Sequence, residues 1–476
     1  MLPIDADPIL FEVHQLSTQA RRVRKALAAS GPQELPHPEL VEELRALQRR
    51  RDALWEDPEH RARLELALTE RAAALRIAAE ARRAERAREE RLAAADRTVA
   101  RAVADRRELT PGEDGRITRL RSESADDVRW QHGITSAATR DSVLTALGTV
   151  RLREARAQLR DGLLQTAQMR GIIAEAMPSL RRGEPLLLVG ETGGAKTALA
   201  EHLCRVVGAD PRAEPELISG YGDITSAQLI GSHELRAEGG ATVSVFVPGP
   251  LLRAMTEGRP VILDEVNAMP PEFLKRLNRI LQLRPGDTLN VQENAGRAVR
   301  VAQGFAILAT ANEQTPHRYR GLDRLSAELV NRFGANSYRV HYPDTGRDYS
   351  EFPTENALLA AAAVVDHRGE LPPGISVDEL QRVARAAFIS QQVFAGAHGE
   401  GFESYVSTER EIDGRPGLEE SVLAPRTLVA ILQKVAGSAG TVTLEHALTR
   451  FVEGVMHRED RRVLALILEG QGLRLG

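Results

Sequence analysis

Apolar residues recur along this chain at two different spacings, and the change from one to the other divides it. From the first residue to about 109 the spacing is helical: Ile9, Leu10 and Val13 mark one short face, and Leu40, Val41, Leu44, Leu47 and Leu54 mark another that Pro58 interrupts. A longer helix is predicted from about Glu59 through Leu64, Leu68, Leu75, Leu92, Val99 and Val103 to the break at Thr110-Pro111-Gly112. Its middle, residues 81–91, is charged nearly all round with both signs interleaved, which predicts a solvated helix held by side-chain pairs of ~0.2–0.5 kcal/mol each. The heptad positions are too poor in apolar residues for a long coiled coil. Residues 1–109 are therefore expected to form an all-α N-terminal arm that contacts an oligomer mate or a partner.

Residues 110–158 read as a linker and helical connector. Pro111-Gly112-Glu113-Asp114-Gly115 suggests a turn and Ser122 to Asp127 a mobile loop, before helical spacing resumes at Val143, Leu144, Leu147 and Leu152. Beyond about 159 the rhythm changes to short apolar runs, Leu186 to Val189, Val261 to Leu263 and Phe305 to Ala311, with Ser337 to Tyr342 as a further strand that closes at Pro343. Such runs suit strands of a parallel sheet covered by helices on both faces, so 159–345 is expected to be an α/β domain. Two further stretches alternate around glycines and predict β-hairpin inserts, one spanning Ser232 to Val245 around Gly239-Gly240, the other pairing Thr288 to Val291 with Ala298 to Val301. Residues 346–476 return to helical spacing, with a loop-rich interruption at Ala395 to Gly401, and form a C-terminal helical lid.

The strand ends carry the chemistry. Leu186 to Val189 breaks into Gly190-Glu191-Thr192-Gly193-Gly194-Ala195-Lys196-Thr197-Ala198, a strand, a glycine-rich loop and the first turn of a helix. That junction aims free backbone N–H groups and the positive end of a helix dipole at one spot, where Lys196 would reach the β- and γ-phosphates of a nucleotide and the Thr197 hydroxyl would hold Mg²⁺. A functionless glycine-rich turn is the bland alternative, but strand, loop, Lys-Thr and helix arrive together. Ala195 stands where a glycine is the safer fit. Val261-Ile262-Leu263 ends in Asp264 and Glu265, two acids at the carboxyl edge of the sheet; Asp264 would complete the Mg²⁺ shell through water and Glu265 would polarise an attacking water. A third strand ends on Asn312, which would orient that water or, more plainly, cap the following loop.

Composition narrows the classes. Net charge is −4 with 27% charged residues, so no overall basic excess argues for nucleic acid or an anionic membrane. The one cysteine, Cys204, excludes an internal disulfide framework and reads as a core residue. His317, His341 and His398 stand singly and read as surface or loop residues rather than ligands. Met1 to Asp7 carries no basic leader and no stretch has the length of a membrane span, so a soluble, cytoplasmic protein is expected.

Taken in order, Gly190 to Thr197, Gly249-Pro250-Leu251-Leu252-Arg253-Ala254, Asp264-Glu265-Val266-Asn267, Ala309-Thr310-Ala311-Asn312, Asn331-Arg332-Phe333 and Ala424-Pro425-Arg426 resemble an AAA+ ATPase of the MoxR and RavA-like group, with midasin-type and MCM modules as more distant relatives. The resemblance covers about 160–476. It implies a P-loop AAA+ module with a helix-2 insert and a pre-sensor-1 hairpin, both facing a ring's pore. It further implies that Asn312 is the first sensor, Arg332 the arginine finger given to a neighbouring subunit and Arg426 the second sensor on the lid. In this group Ala195 looks like a subgroup marker.

The expected function is Mg²⁺-dependent ATP hydrolysis by a homo-oligomeric ring, hexameric by resemblance, that remodels or activates a protein partner; a von Willebrand A domain protein is the partner the resemblance names. Two alternatives stand beside it. A DNA-acting motor of MCM or McrB type would use Arg297 and Arg300 on the second hairpin, against which Glu234, Glu238 and Glu293 weigh. An ATP-regulated assembly scaffold would require lost catalytic groups, and all are present in the sequence.

Overall fold

The computed structural model describes residues 8–29, 38–122, 137–208, 214–238, 241–313, 325–366, 371–372, 374–397, 401–407, 410, 415–438 and 440–475. His317, His398, the Gly239-Gly240 turn and the stretch from Glu123 to Asp127 lie outside them. Contacts divide the chain into two units, one drawn from Met1–Arg88 and Gly115–Glu154, the other from Glu89–Asp114 and Ala155–Gly476.

The first unit is helical. Helices α1 (Pro8–Ala29) and α2 (Pro38–Glu56) pack together, with Arg50 donating to Glu12 at 2.7 Å. Helix α3 (Pro58–Ala104) is the long one, followed by α4 (Pro111–Ser122) and α5 (Ala137–Arg160). The charged middle of α3 is not solvated all round, contrary to its sequence. Ala74, Ala78 and Ala81 are buried against Val143, Ala146 and Leu147 of α5, and Arg82, only 8% exposed, pairs with Glu85 and with Glu154 at 3.0 Å. Alanines at three- and four-residue spacing let two helices come close, and arginine stems then cover the seam. The Pro111–Gly115 stretch is likewise no turn but the start of α4. Glu113 N donates to Thr110 Oγ1 at 3.3 Å while Thr110 N donates to Glu113 Oε2 at 2.9 Å, a reciprocal cap, and a proline at the first helical position forfeits no hydrogen bond.

In the second unit the remainder of α3 runs along α6 (Ala167–Arg181), where a Cβ on Gly171 would stand 2.4 Å from the Ala93 Cβ. Arg97 and Arg101 both pair with Glu175 across that contact. Then follow β1 (Leu186–Gly190), α7 (Lys196–Val207), β2 (Glu216–Ser219), α8 (Ser226–Ile230), the hairpin β3 (Gly231–Glu238) and β4 (Ala241–Pro248), α9 (Pro250–Glu257), β5 (Val261–Asp264), α10 (Pro271–Ile280), the hairpin β6 (Thr288–Val291) and β7 (Arg297–Arg300), β8 (Ile307–Asn312), α11 (Ala327–Phe333) and β9 (Ser337–Val340). Five of these strands form one sheet in the order β2-β5-β8-β1-β9, every neighbour parallel. Both faces are covered: Leu186, Leu188, Ile262 and Leu308 meet α6 and α7, while Leu187, Val261, Leu263 and Ala309 meet α9, α10 and α11. Cys204 is 2% exposed within the first of these cores, as its position on α7 predicts.

Both predicted hairpins are antiparallel two-stranded sheets apart from the main one. The C-terminal part is a helical bundle of α12 (Thr354–Val364), α13 (Val377–Phe394), α14 (Pro425–Gly437), α15 (Leu444–Glu453) and α16 (Arg458–Gly470) around Phe388, Leu428, Leu432 and Leu464. Among the described residues no helix is long and apolar enough to cross a membrane. For the site, the consequence of this topology is that β5, β8 and β1 lie side by side, so their carboxyl ends meet.

Candidate functional site

Lys196 begins α7 yet is only 7% exposed. Its Nζ donates to the carbonyl oxygens of Gly190 (3.0 Å) and Glu191 (2.8 Å) and to Asn312 Oδ1 (3.0 Å). The last contact follows from register, since Gly190 and Asn312 are paired at the ends of β1 and β8. Asn312 is therefore no mere loop cap; its side chain faces the lysine. Burial, the largest influence, brings the Lys196 ammonium down to about 8, with Arg426 pushing the same way and Glu191, Asp264 and Glu265 opposing.

The loop that carries this lysine turns through two left-handed residues, Gly193 (φ 74) and Ala195 (φ 64). Glycine takes that conformation freely, whereas alanine is strained by roughly 1–2 kcal/mol. Tight approaches hold the loop on three sides. A Cβ on Gly190 would meet the Val340 oxygen at 2.2 Å, one on Gly193 would meet the Ala424 Cβ at 2.7 Å, and Tyr342 Oη donates to Thr192 O at 2.6 Å.

The second half of the site is built on hydroxyls. Asp264 Oδ1 accepts from Thr197 Oγ1 at 2.8 Å and from Thr310 Oγ1 at 2.6 Å, and the same Thr310 oxygen accepts from Glu265 N at 3.0 Å. One fully buried threonine thus sets both acids. Glu265 is itself left-handed (φ 53), and its side chain is exposed. Asn267, 1% exposed, donates to Asn312 O at 3.4 Å, while its Oδ1 has no partner among the described residues. Thr310, Asn267 and Tyr342 received no role from the sequence, though a threonine inside an otherwise apolar strand was a usable signal.

A carboxylate and a hydroxyl already in contact are the hard oxygen donors that Mg²⁺ takes, so Asp264 and Thr197 fit that ion, which would neutralise phosphate charge there. Next to the loop lies a cavity of about 330 Å³ walled by Leu163, Leu164, Met169, Leu359 and Val429 and opening on Gly193, Gly194 and Ala195. Apolar walls beside a phosphate-sized cradle suit a nucleobase. Arg426, exposed in the first turn of α14, lines the same cavity. Arg332 is not part of this cluster. It is 36% exposed on α11, donates to Glu328 at 3.3 Å, and lies 2.9 Å from the Gln282 amide oxygen once that amide is turned to accept.

Two outcomes follow from this geometry. Ala195→Gly relieves the left-handed strain, so the chain gains up to about 1 kcal/mol in a denaturant titration. The Lys196 proton is held less firmly than an ordinary lysine's, and phosphate binds the protonated form. Affinity for ATP therefore falls as pH rises through about 8, by up to about tenfold per pH unit, when measured by calorimetric titration; Lys196→Arg binding stays flat over the same range.

Comparison with known proteins places the loop, both acids, Asn312 and Arg332 inside one recognised segment: residues 185–333 match the model of the AAA domain, dynein-related subfamily. Over 167 residues the chain is 31% identical to the uncharacterized protein YojN of Bacillus subtilis, spanning 35% of this chain and 51% of that one. An uncharacterized protein of Staphylococcus aureus is 34% identical over 150 residues, 31% of this chain and 52% of its own. The chain spans about half the length of these curated relatives. Among solved structures, NtrX from Brucella abortus aligns with 15% identity and a TM-score of 0.29 over 76% of this chain and 80% of that one. The segment from 185 to 333 is thus similar to AAA domains of the dynein-related subfamily.

Proposed function

We propose that this protein is a Mg²⁺-dependent ATPase of the MoxR-like AAA+ type, acting as a homo-oligomeric ring that remodels or activates a protein partner. The observation that carries the reading is the convergence on Lys196 and Asp264: the buried ammonium touches Asn312, the carboxylate touches Thr197, and both lie at the end of one sheet beside an apolar cavity. In this reading Gly190 to Ala198 wrap the phosphates, Lys196 moves from its carbonyl partners to the phosphate oxygens, and Thr197 with Asp264 hold the ion. Glu265, exposed beside the ion site's Asp264, orients the attacking water and takes its proton, with Asn312 fixing the water's position. Arg426 closes on the γ-phosphate from the helical bundle.

Arg332 has no place in its own subunit's cluster, and its exposure supports a role as the finger offered to a neighbour's phosphates. The partner is read as protein because the first hairpin carries exposed apolar side chains, Leu235 at 76% and Val243 at 40%. DNA action keeps one supporting feature, the exposed Arg297 and Arg300 on β7; steep loss of DNA binding with salt would favour it. A von Willebrand A domain protein remains the partner proposed from resemblance.

Glu265→Gln is expected to bind ATP with native affinity while turnover drops by ~10²-fold or more, read by a coupled phosphate-release assay; native turnover removes Glu265 from the role. Arg332→Ala is expected to lose ~10³-fold in turnover with ATP binding unchanged, and mixing it with Lys196→Ala subunits should restore part of the activity, since each supplies what the other lacks. Full activity of dilute, strictly monomeric protein would overturn the shared site.

A further inference from the structure

Arg426 belongs to a helix whose start is weakly held by its own sequence. The N-cap of α14 is Ala424, which offers no side-chain cap, and the segment before it must be fixed from elsewhere. The structure provides a buried chain of amides and a carboxylate that reaches it. Leu423 O accepts from Gln391 Nε2 at 3.0 Å; Gln391 and Asn356 exchange amide hydrogen bonds at 3.0 and 3.2 Å; Asn356 donates in turn to Asp344 Oδ2, through its backbone N at 2.8 Å and its Nδ2 at 3.1 Å. Gln391 and Asn356 are both 0% exposed, and Asp344 holds a left-handed backbone (φ 59) two residues beyond Tyr342, whose hydroxyl ties down the loop at Thr192.

Fully buried polar side chains in an apolar bundle cost stability unless every bond is made, so a relay of this kind specifies position rather than adding bulk stability. It ends where position matters: Ala424 lies against Gly193 so closely that no Cβ fits between them. We infer that Gln391 is a positioning residue for ATP turnover, holding Leu423-Ala424 so that Arg426 enters the nucleotide cavity at the right depth, and that the Asp344-Asn356-Gln391 relay links that position to the loop. The inference rests on the proposed ATPase reading and on Arg426 acting at the γ-phosphate.

The test is a double-substitution cycle on the full chain, measuring kcat, ATP Kd by equilibrium binding and melting temperature. Gln391→Met should lower kcat by roughly 10- to 100-fold with Kd within about threefold of native. In an Arg426→Ala background the same substitution should change kcat by less than about twofold, because the residue it positions is gone. Gln391→Asn, which keeps an amide but is one methylene too short for Leu423, carries the same reading should the methionine variant not fold. Equal losses from Gln391→Met with and without Arg426 overturn the inference while leaving the ATPase reading intact. An Arg426→Ala chain with native kcat removes both the role of Arg426 and this inference, and a native chain that fails to bind ATP removes the proposed function itself.

Discussion

A buried positive charge is the constraint on which the rest of this site depends. The Lys196 ammonium sits almost wholly out of water, and an ion in that position is tolerated only if oxygens replace its hydration. Three do so: the carbonyls of Gly190 and Glu191 and the side chain of Asn312. Two of them belong to the ends of β1 and β8, residues far apart in sequence that become neighbours because β8 enters the sheet between β5 and β1. Strand order is thus a condition for keeping the charge. A chain that placed β8 elsewhere would leave the lysine short of a partner.

The acidic half of the site obeys the same logic with the sign reversed. Asp264 and Glu265 are adjacent in sequence and would repel each other if held alike. Thr310 separates their tasks by donating to one side chain and accepting from the other's backbone N–H, while Glu265 turns left-handed at the strand end and leaves its side chain exposed. The strain at Glu265 and at Ala195 falls where the chain meets prospective ligand, and such strain persists only when surrounding packing over-determines it. Here that packing is the doubly covered sheet on one side and the Ala424 contact on the other.

Much of this was legible in the chain itself. Short apolar runs ending in Gly190, Asp264 and Asn312 identify three sheet strands because a strand covered on both faces is predominantly apolar. The glycine-flanked hairpins and the proline that opens α14 were equally readable, since turn and cap chemistry is local. Local signals also misled. Thr110-Pro111-x-Glu113 carries both a turn pattern and a capping box, and the capping box prevails because its reciprocal bonds satisfy helix N–H groups that a turn would leave to water. The interleaved charges of α3 resembled a solvated face because periodicity records a residue's own polarity and not the glutamate on α5, Glu154, that pairs with Arg82 and Arg86 and makes their burial tolerable.

The sequence alone determined where the strands end and which side chains stand at those ends, because these depend on polarity and turn chemistry within a few residues. Tertiary structure decided the company those side chains keep: Asn312 with Lys196, Thr310 with both acids, Gln391 with the residue before Ala424. None of these pairs shares a helical turn or a hairpin. They exist only once the sheet order and the bundle packing have closed long stretches of chain, and no short-range pattern records that closure.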